Sequence, residues 1–561
     1  MARAAPTVYR VAAPDLPADD ASGVYAAIEA AQERCRQVPD VRESWLELTD
    51  LLASTNEWQA VIEVSQHCTR LFGDWAEPWF RLSVAHEALG ELAESLTSAA
   101  EAVQRDSNHL GAQALLGLRR VEIGERLDGM ERLLAASQLT QHPFVLVRRA
   151  KAHLHADQPG PAEYWLNRVL TDSPDSDEAI ALLAHLYERT GRLEEAADTI
   201  ALLPSRQSVS LLTEAVILRR RGASKDALAV LDPENPALAM LDAGLAAVER
   251  GRNLELLGRL DDAWLAYTDA NEIARGRSVF GAEALTWFEQ LRVWWSRQSP
   301  DRPRPTSVAA SRTPLAFLVG LPRSGTTMLE QIITAGSVVS TTECSAMATA
   351  TAELTARTRS DYPDVIDHIG AAGIDVLRSA YWEVLARWLV PDDVPVLDKL
   401  PLNLLYLGSI DAAFPETRVV TIRRDPRDVV LSLYLQQFVD NSVMALTTTL
   451  DRAASLYVAG MELWSAARSN LRVPVLEIRY EDLVTKPEPE LARLGAFLDL
   501  ELSIPTNDTG SPRPLISTPS YAAAGGALRR SAIGRWKRYE RHLEPVLERL
   551  APWVDLHELP N

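Results

Sequence analysis

Cysteine is scarce in this chain of 561 residues, and long hydrophobic runs do not occur. Cys35, Cys68 and Cys344 are too few and too scattered for a disulfide framework or a zinc cluster. The first residues contain no apolar stretch of signal-peptide length, and no apolar run reaches the roughly 18 residues that a membrane-spanning helix needs. We therefore expect a cytoplasmic chain that contains neither a metal site nor a membrane span.

Basic residues are fewer than acidic residues in this chain. Lysine and arginine number 57 against 77 acidic residues, which gives a formal net charge of -20. The field of such a chain repels polyanions, so binding to nucleic acid or to an anionic membrane surface is disfavoured. An anionic ligand would need a local cluster of cationic side chains.

The first half of the chain contains a repeated helical pattern. Trp45 and Trp79 are 34 residues apart, and each is followed three residues later by a leucine. Turn glycines recur, and five residues after each stands a small side chain that lets two helices approach closely. The pattern resembles the tetratricopeptide repeat, a helical hairpin of about 34 residues; an irregular helical bundle is the alternative. The glycines are Gly90, Gly124, Gly191, Gly222 and Gly258, and the small residues are Ser95, Gly129, Ala196, Ala227 and Ala263.

The composition changes near residue 296. Residues 296–312 contain three prolines and several polar residues without a period, which is typical of an exposed linker. Beyond them, short apolar runs alternate with helical patterns, which indicates a three-layer α/β domain with a parallel sheet. The sequence thus predicts an N-terminal extension over 1–21, a helical solenoid over 22–295, a linker over 296–312 and a P-loop-like α/β domain over 313–561.

The most informative segment is a glycine loop between a predicted strand and a predicted helix. Gly320 and Gly325 have the spacing of the nucleotide-triphosphatase P-loop, whose backbone N–H groups hold phosphate at a helix N-terminus. Thr326 occupies the position of the P-loop lysine, which argues against ATP or GTP hydrolysis. A cation lies inside the loop instead, as Arg323. A donor with a 5′-terminal anionic group fits this arrangement, and a generic glycine-rich turn is the alternative.

The string Pro322-Arg-Ser-Gly-Thr-Thr327 resembles the phosphosulfate loop of sulfotransferases that use 3′-phosphoadenosine 5′-phosphosulfate (PAPS). Three further strings follow in the family order, at residues 418–432, 478–483 and 529–540. Within the superfamily, the chain resembles bacterial proteins that join tetratricopeptide repeats to a sulfotransferase domain, and these resemble tyrosylprotein sulfotransferases. The resemblance covers residues 314 to about 550.

The resemblance implies a donor site assembled from these four strings. The first would hold the 5′-phosphosulfate, the second the 3′-phosphate, and the other two would lie near the nucleotide. The residues are Arg323, Ser324, Gly325, Thr326 and Thr327 in the first, Arg424 and Ser432 in the second, Tyr480 in the third, and Ser531, Gly534, Arg535 and Trp536 in the fourth.

Sulfuryl transfer needs a base for the acceptor hydroxyl and cations for the charge on the sulfuryl and leaving groups. The resemblance implies Glu343 as the base and Lys399 at the bridging oxygen, with Arg323 sharing the charge stabilisation. Thr342 stands where the family has glycine, and Glu343 lies one residue nearer to the loop than the family spacing.

Alternatives exist for two of these assignments. Lys399 could form an ion pair with Asp398, and Glu343 could face solvent or cap a helix. Small-molecule sulfotransferases use a histidine base, for which His368 is the candidate.

These observations predict transfer of a sulfuryl group from PAPS to a hydroxyl acceptor, without a metal. Repeat arrays present extended concave surfaces that hold peptides or proteins, so a peptide or protein acceptor, modified on tyrosine, is expected; small-molecule, lipid and glycan acceptors stay open. The rival hypotheses are a non-catalytic scaffold with a degenerate nucleotide-sensing domain and a nucleotide kinase with an altered loop.

Overall fold

The computed structural model describes residues 21–203, 208–234, 243–302, 312–388, 390–391, 393–504 and 530–558. Residues 1–20 of the predicted extension and 303–311 of the predicted linker lie outside these ranges. The chain divides into two compact units, Met1–Leu183 and Ala184–Asn561. The domain limits at residues 22, 296 and 313 stay predictions.

The described residues before the sheet form helices, which confirms the prediction of a helical repeat region. They are α1 (Ala21–Gln37), α2 (Arg42–Ser54), α3 (Trp58–Leu71), α4 (Ala76–Ala88), α5 (Leu92–Arg105), α6 (Leu110–Glu122), α7 (Arg126–Leu139), α8 (Pro143–His155), α9 (Pro159–Asp172), α10 (Asp177–Arg189), α11 (Leu193–Ile200), α12 (Ser208–Arg220), α13 (Ser224–Val230), α14 (Ala243–Leu256), α15 (Leu260–Arg277) and α16 (Glu283–Ser296).

The predicted turn glycines lie where the chain reverses between paired helices. Each has a positive φ, a conformation that glycine adopts without a steric penalty. In the hairpin of α8 and α9, Asp157 takes this role with φ 56°, and Pro159 begins α9. Proline suits the first turn of a helix because the N–H that it lacks has no helical partner there. The glycines are Gly90, Gly124, Gly191, Gly222 and Gly258.

Small side chains bring the two helices of a hairpin together. A Cβ atom on Gly129 of α7 would lie 2.5 Å from the carbonyl oxygen of Gly117 on α6, so only glycine fits. In the hairpin of α4 and α5, the Ser95 hydroxyl donates to the carbonyl oxygen of Ser83 at 2.9 Å. The sequence spacing therefore marks close helix contacts correctly.

Among the described residues of the second unit, five parallel strands form a sheet in the order β2-β3-β1-β4-β5. Four of the five strands lie in the apolar runs predicted from the sequence. Such runs are expected because a strand covered on both faces needs apolar side chains on both faces. The short strand beside β3 has no such run and was not predicted. The strands are β1 (Ala316–Val319), β2 (Val339–Ser340), β3 (Val396–Lys399), β4 (Arg418–Arg423) and β5 (Val475–Arg479).

Helices follow and cover these strands, which confirms the predicted α/β domain. The carboxyl ends of parallel strands meet at one edge, where ligands bind in such folds. The helices are α17 (Thr326–Ile333), α18 (Ala346–Thr358), α19 (Ala371–Arg387), α20 (Leu407–Ala413), α21 (Pro426–Tyr434), α22 (Leu450–Arg468), α23 (Tyr480–Thr485), α24 (Pro487–Leu498) and α25 (Glu540–Glu558).

One hydrophobic core joins the last repeat helices to the α/β domain. Phe288 and Trp295 of α16 are buried in the same cluster as Tyr381 of α19. Asn271 of α15 donates from its side chain to the carbonyl oxygen of Tyr434, at the end of α21, at 2.8 Å. Helices α14–α16 therefore belong to the same folded body as the sheet.

The three cysteines are buried free thiols. Within the ranges that the structure describes, no helix combines the length and the apolar character that crossing a bilayer requires. The same ranges contain no group of three or more His, Cys, Asp or Glu side chains suited to a metal ion.

Candidate active site

The glycine loop connects β1 to the N-terminus of α17. Gly320 has φ 144° and Gly325 has φ 114°, both in the region that favours glycine. A Cβ atom on Gly325 would lie 2.6 Å from the ring of Tyr480, so the loop and the tyrosine pack as closely as the backbone allows. Thr326 and Thr327 are buried in the first turn of α17, where N–H groups without helical partners favour an anion.

Arg323 joins the loop to α21. Its Nε donates to the Ser432 hydroxyl at 2.9 Å, and this contact is possible because β4, which leads into α21, pairs with β1. The loop string was predicted to hold the 5′-phosphosulfate of the donor and the 418–432 string its 3′-phosphate. The two strings thus contact each other through Arg323 and Ser432.

Arg424 lies between the loop, Tyr480 and the C-terminal segment. Its guanidinium lies 4.7 Å from the centre of the Tyr480 ring. Its Nη1 donates to the carbonyl oxygen of Arg323 at 3.3 Å, and its Nη2 donates to that of Ala532 at 2.5 Å. The Nε of Arg424 is buried without a hydrogen-bond partner. A buried donor of this kind is costly unless a ligand satisfies it.

Several cations crowd around the loop. Burial, and then the positive charges of Arg424, Arg252 and Arg535, lower the pKa of Arg323 to about 9, against the opposing charge of Glu343. Arginine keeps its proton in proteins, so this shift indicates a charged guanidinium that is destabilised first by burial and then by the neighbouring cations. A bound anion would relieve this destabilisation.

The C-terminal segment is bound to α21 through Asp428. Gly534 has φ 71° and donates its N–H to Asp428 Oδ2 at 2.7 Å. The N–H of Trp536 donates to Asp428 Oδ1 at 2.8 Å, and the Arg427 guanidinium lies 4.0 Å from the Trp536 ring centre. Asp425 caps α21 by accepting from the N–H of Arg427 at 2.9 Å.

Two residues of this segment that were predicted to bind the sulfuryl donor, Ser531 and Arg535, differ in environment from the others. Ser531 is exposed. Arg535 donates from Nε to Glu255 of α14 at 2.9 Å. Burial opposes ionisation of Glu255, but Arg535 and Arg538 outweigh it and hold its pKa below the usual range. Arg535 is therefore engaged by a carboxylate of a repeat helix.

Lys399 and Glu343 are in direct contact. The fully buried Lys399 ammonium donates to Glu343 Oε1, and the Glu343 N–H donates to the carbonyl oxygen of Lys399 at 2.9 Å. Glu330 of α17 lies on the other side, with its Oε2 at 3.5 Å from Lys399 Nζ. The Glu343 side chain is 39% exposed, so the candidate base borders solvent while its cationic partner does not.

Asp398 does not pair with Lys399. Its carboxylate accepts from the Tyr381 hydroxyl and from Asn403 Nδ2, each at 2.9 Å, and from the Thr341 hydroxyl at 3.4 Å. Burial raises the pKa of Asp398 to about 7 despite these donors. This residue supports the end of β3 from within the core.

The alternative base, His368, is exposed at the end of a short 3-10 helix, Asp364–His368. The geometry therefore favours Glu343, whose carboxylate borders the cationic loop, over this histidine.

Three residues of this site were not predicted from the sequence. Glu330 lies one helical turn beyond Thr326, so this spacing could have indicated that it lies beside the loop. Asp428 lies within the 418–432 string but was not assigned a role there. Arg252 carried no signal, because its approach to the loop depends on how α14 packs against the α/β domain.

Two segments of the chain match known families. Residues 314–503 match the family described as "Sulfotransferase family", and residues 153–210 match "Tetratricopeptide repeat". The first match contains the glycine loop and the residues up to Tyr480.

The chain is also similar to individual proteins. An uncharacterized protein of Aquifex aeolicus (strain VF5) is 24% identical over 384 residues, which are 65% of this chain and 49% of that protein. A "Putative protein-tyrosine sulfotransferase" of Caenorhabditis briggsae is 26% identical over 199 residues, 34% of this chain and 66% of that protein. The chain thus spans about half the length of the first relative and just under two thirds of the second.

Among solved structures, the sulfotransferase domain from the Synechococcus PCC 7002 olefin synthase aligns with a TM-score of 0.28. The identity is 16%, and the alignment covers 43% of this chain and 90% of that one.

Proposed function

We propose that the chain transfers a sulfuryl group from PAPS to a hydroxyl acceptor, because residues 314–503 match the sulfotransferase family. The observation that carries the proposal is the concentration of cations around Arg323, inside a loop that lacks the P-loop lysine. Such a site suits a strongly anionic donor that needs no magnesium.

The residues present fit PAPS, which has an anionic group at each end. Arg323, Ser324, Gly325, Thr326 and Thr327 would hold the 5′-phosphosulfate. The buried Nε of Arg424, which has no partner, supports a further anion beside the loop. Arg424 and Ser432 would take the 3′-phosphate, with Tyr480, Ser531, Gly534, Arg535 and Trp536 near the nucleotide.

The chain's own residues divide the chemistry between a base and cations. When bound, PAPS supplies the sulfuryl group. Glu343 would accept the proton of the acceptor hydroxyl as the oxygen bonds to sulfur and the bond from sulfur to the phosphate oxygen breaks. Lys399 and Arg323 would stabilise the negative charge that then forms on the leaving phosphate.

A protein or peptide acceptor, modified on tyrosine, is part of the proposal. It is supported by the repeats, since such arrays commonly bind peptides, and by the name of the Caenorhabditis briggsae relative. A reducing, cytoplasmic setting is proposed from the three buried free thiols.

Calorimetry with 3′-phosphoadenosine 5′-phosphate (PAP) tests donor binding. Wild type should bind PAP, and Arg424→Ala should weaken binding about 10- to 100-fold, because a charge-assisted hydrogen bond is lost. The control is Arg357→Ala, whose side chain is 62% exposed on α18. Absence of PAP binding by wild type would contradict the proposal.

Transfer of labelled sulfate from PAPS to tyrosine peptides, glycans and small phenols tests the activity. Glu343→Gln should lower kcat at least about 100-fold while PAP binding persists, because the base is lost. Glu353→Gln, which alters an exposed carboxylate on α18, should behave as wild type. Full transfer by Glu343→Gln would remove that residue from the role of base.

A further inference from the structure

Lys399 lies between two carboxylates that differ in environment. Its ammonium is fully buried, donates to Glu343 and lies 3.5 Å from Glu330 Oε2. The Glu330 side chain is only 11% exposed, against 39% for Glu343. Only Glu343 of the two can face an acceptor in solvent, so Glu330 must serve the site in another way.

A buried ammonium needs a permanent carboxylate partner. Removing a charge from water is costly, and losing the partner of a buried ion is strongly destabilising. If Lys399 leaves Glu343 to meet a bound anion, Glu330 remains within reach from the interior side. Burial raises the pKa of Glu330, and the adjacent Lys399 opposes this rise, so the ammonium favours the charged form of the buried carboxylate.

Glu330 also holds the turn that carries the candidate base. Its Oε1 accepts from the Ser340 hydroxyl at 2.5 Å, and the Ser340 oxygen accepts from the N–H of Thr342 at 3.1 Å. Thr342 and Glu343 have φ 45° and 66°, a conformation that residues other than glycine adopt at a cost. Contacts at both ends therefore maintain this turn: Glu330 through Ser340, and Lys399 through its carbonyl oxygen.

We propose that Glu330 is a positioning residue that keeps Lys399 and the turn bearing Glu343 in place, so that Lys399 can turn toward the phosphosulfate of a bound donor and release Glu343 as a base. The inference rests on the proposed function and deepens it. It explains why one ammonium has two carboxylates: Glu343 exchanges its bond to Lys399 for the acceptor proton, while Glu330 keeps its own.

The test compares kcat for sulfuryl transfer with PAP affinity in Glu330→Gln. Without Glu330, Lys399 stays bound to Glu343, so kcat should fall about tenfold or more, as misplaced catalytic groups commonly cause. PAP should bind about threefold more tightly, because one negative charge near an anion site has been removed. Glu353→Gln is the matched control and should change neither quantity.

A double-mutant cycle with Lys399→Met tests whether Glu330 affects kcat through Lys399. If Glu330 acts partly through Lys399 and partly through the turn, Glu330→Gln should lower kcat by a smaller factor in the Lys399→Met background than in wild type. An equal loss in both backgrounds would overturn the inference, and so would wild-type kcat in the single variant. Weaker PAP binding with a lower Tm would show a merely structural role and would also overturn it.

Ser340→Ala provides a second variant if Glu330→Gln does not fold. It breaks the link to the turn and leaves the Glu330–Lys399 pair, so kcat should fall while PAP affinity stays within about twofold, since no charge changes. An unchanged kcat would overturn the inference. If wild type binds no PAP, the proposed function fails and this inference with it; if wild type is active and these variants are too, only the inference fails.

Discussion

Several charged side chains of this site are buried, although burial removes the hydration that normally stabilises a charge. Lys399 is fully enclosed between Glu330 and Glu343, and Arg323 lies among other arginines. Such groups stay charged only where partners or a ligand compensate the lost hydration. The residues with the least favourable surroundings are therefore those expected to meet the donor and acceptor.

Asp398 gives a prediction for stability against pH. Its pKa is raised by burial to about 7 in the folded chain, against about 4 when unfolded. The stabilisation from its protonated form is therefore full below about pH 4 and is lost as the pH rises through about 7. Urea unfolding at a series of pH values between about 5 and 8 should show a decreasing free energy of unfolding, with a contribution of up to about 1.4 kcal/mol per pH unit.

Asp398→Asn removes the titration and should flatten this slope. The amide can still accept a hydrogen bond from Tyr381 or from Asn403. The same slope in the variant and in wild type would show that another group causes it.

At the scale of elements, α21 organises the site because its polar residues share one face. Asp428 and Ser432 are four residues apart, so they lie one turn apart on the helix. Ser432 accepts from Arg323 of the loop, and Asp428 accepts two N–H groups of the C-terminal segment. One helix thus fixes two segments that are far apart in the sequence.

Asp428→Asn should loosen the C-terminal segment. An amide can replace only one of the two acceptor oxygens, so one N–H of Gly534 or Trp536 loses its partner, at about 1–3 kcal/mol. Amide hydrogen exchange of residues 530–539 should accelerate, and PAP should bind about tenfold more weakly. Asp451→Asn, an exposed carboxylate on α22, is the control; unchanged exchange in Asp428→Asn would contradict the assigned role.

At the scale of the whole molecule, the last repeat helices and the α/β domain share a core. Phe288 and Trp295 of α16 are fully buried in it. Arg252 of α14 adds positive charge near the loop, and Glu255 of the same helix binds Arg535. The folded body that contains the α/β domain therefore includes the last helices of the repeat region.

A chain truncated to residues 184–561 should fold and bind PAP, whereas one truncated to 296–561 should not. The second truncation exposes the partners of Phe288 and Trp295, and each large aromatic removed from a core costs about 3–5 kcal/mol. Thermal unfolding and PAP calorimetry distinguish the two. A cooperative transition and wild-type PAP affinity for 296–561 would show that α14–α16 are dispensable.

Much of the fold was predictable because its signals are local. Turn glycines such as Gly90 need a positive φ, and the apolar run at 315–321 suits a strand buried on both faces. The conformation of the glycine loop was predictable for the same reason, since Gly320 and Gly325 lie within one short string. Strand β2 was missed because its two residues gain their conformation only by pairing with β3.

The sequence by itself determined the helical repeats, the parallel α/β domain and the lysine-free loop with Arg323, because spacing along the chain controls turns, strands and loops. Only the tertiary structure decided which charges meet: that Lys399 lies between Glu330 and Glu343 rather than against Asp398, and that Arg535 binds Glu255. These pairings join residues distant in sequence, and they depend on strand order and helix packing, which no local pattern specifies.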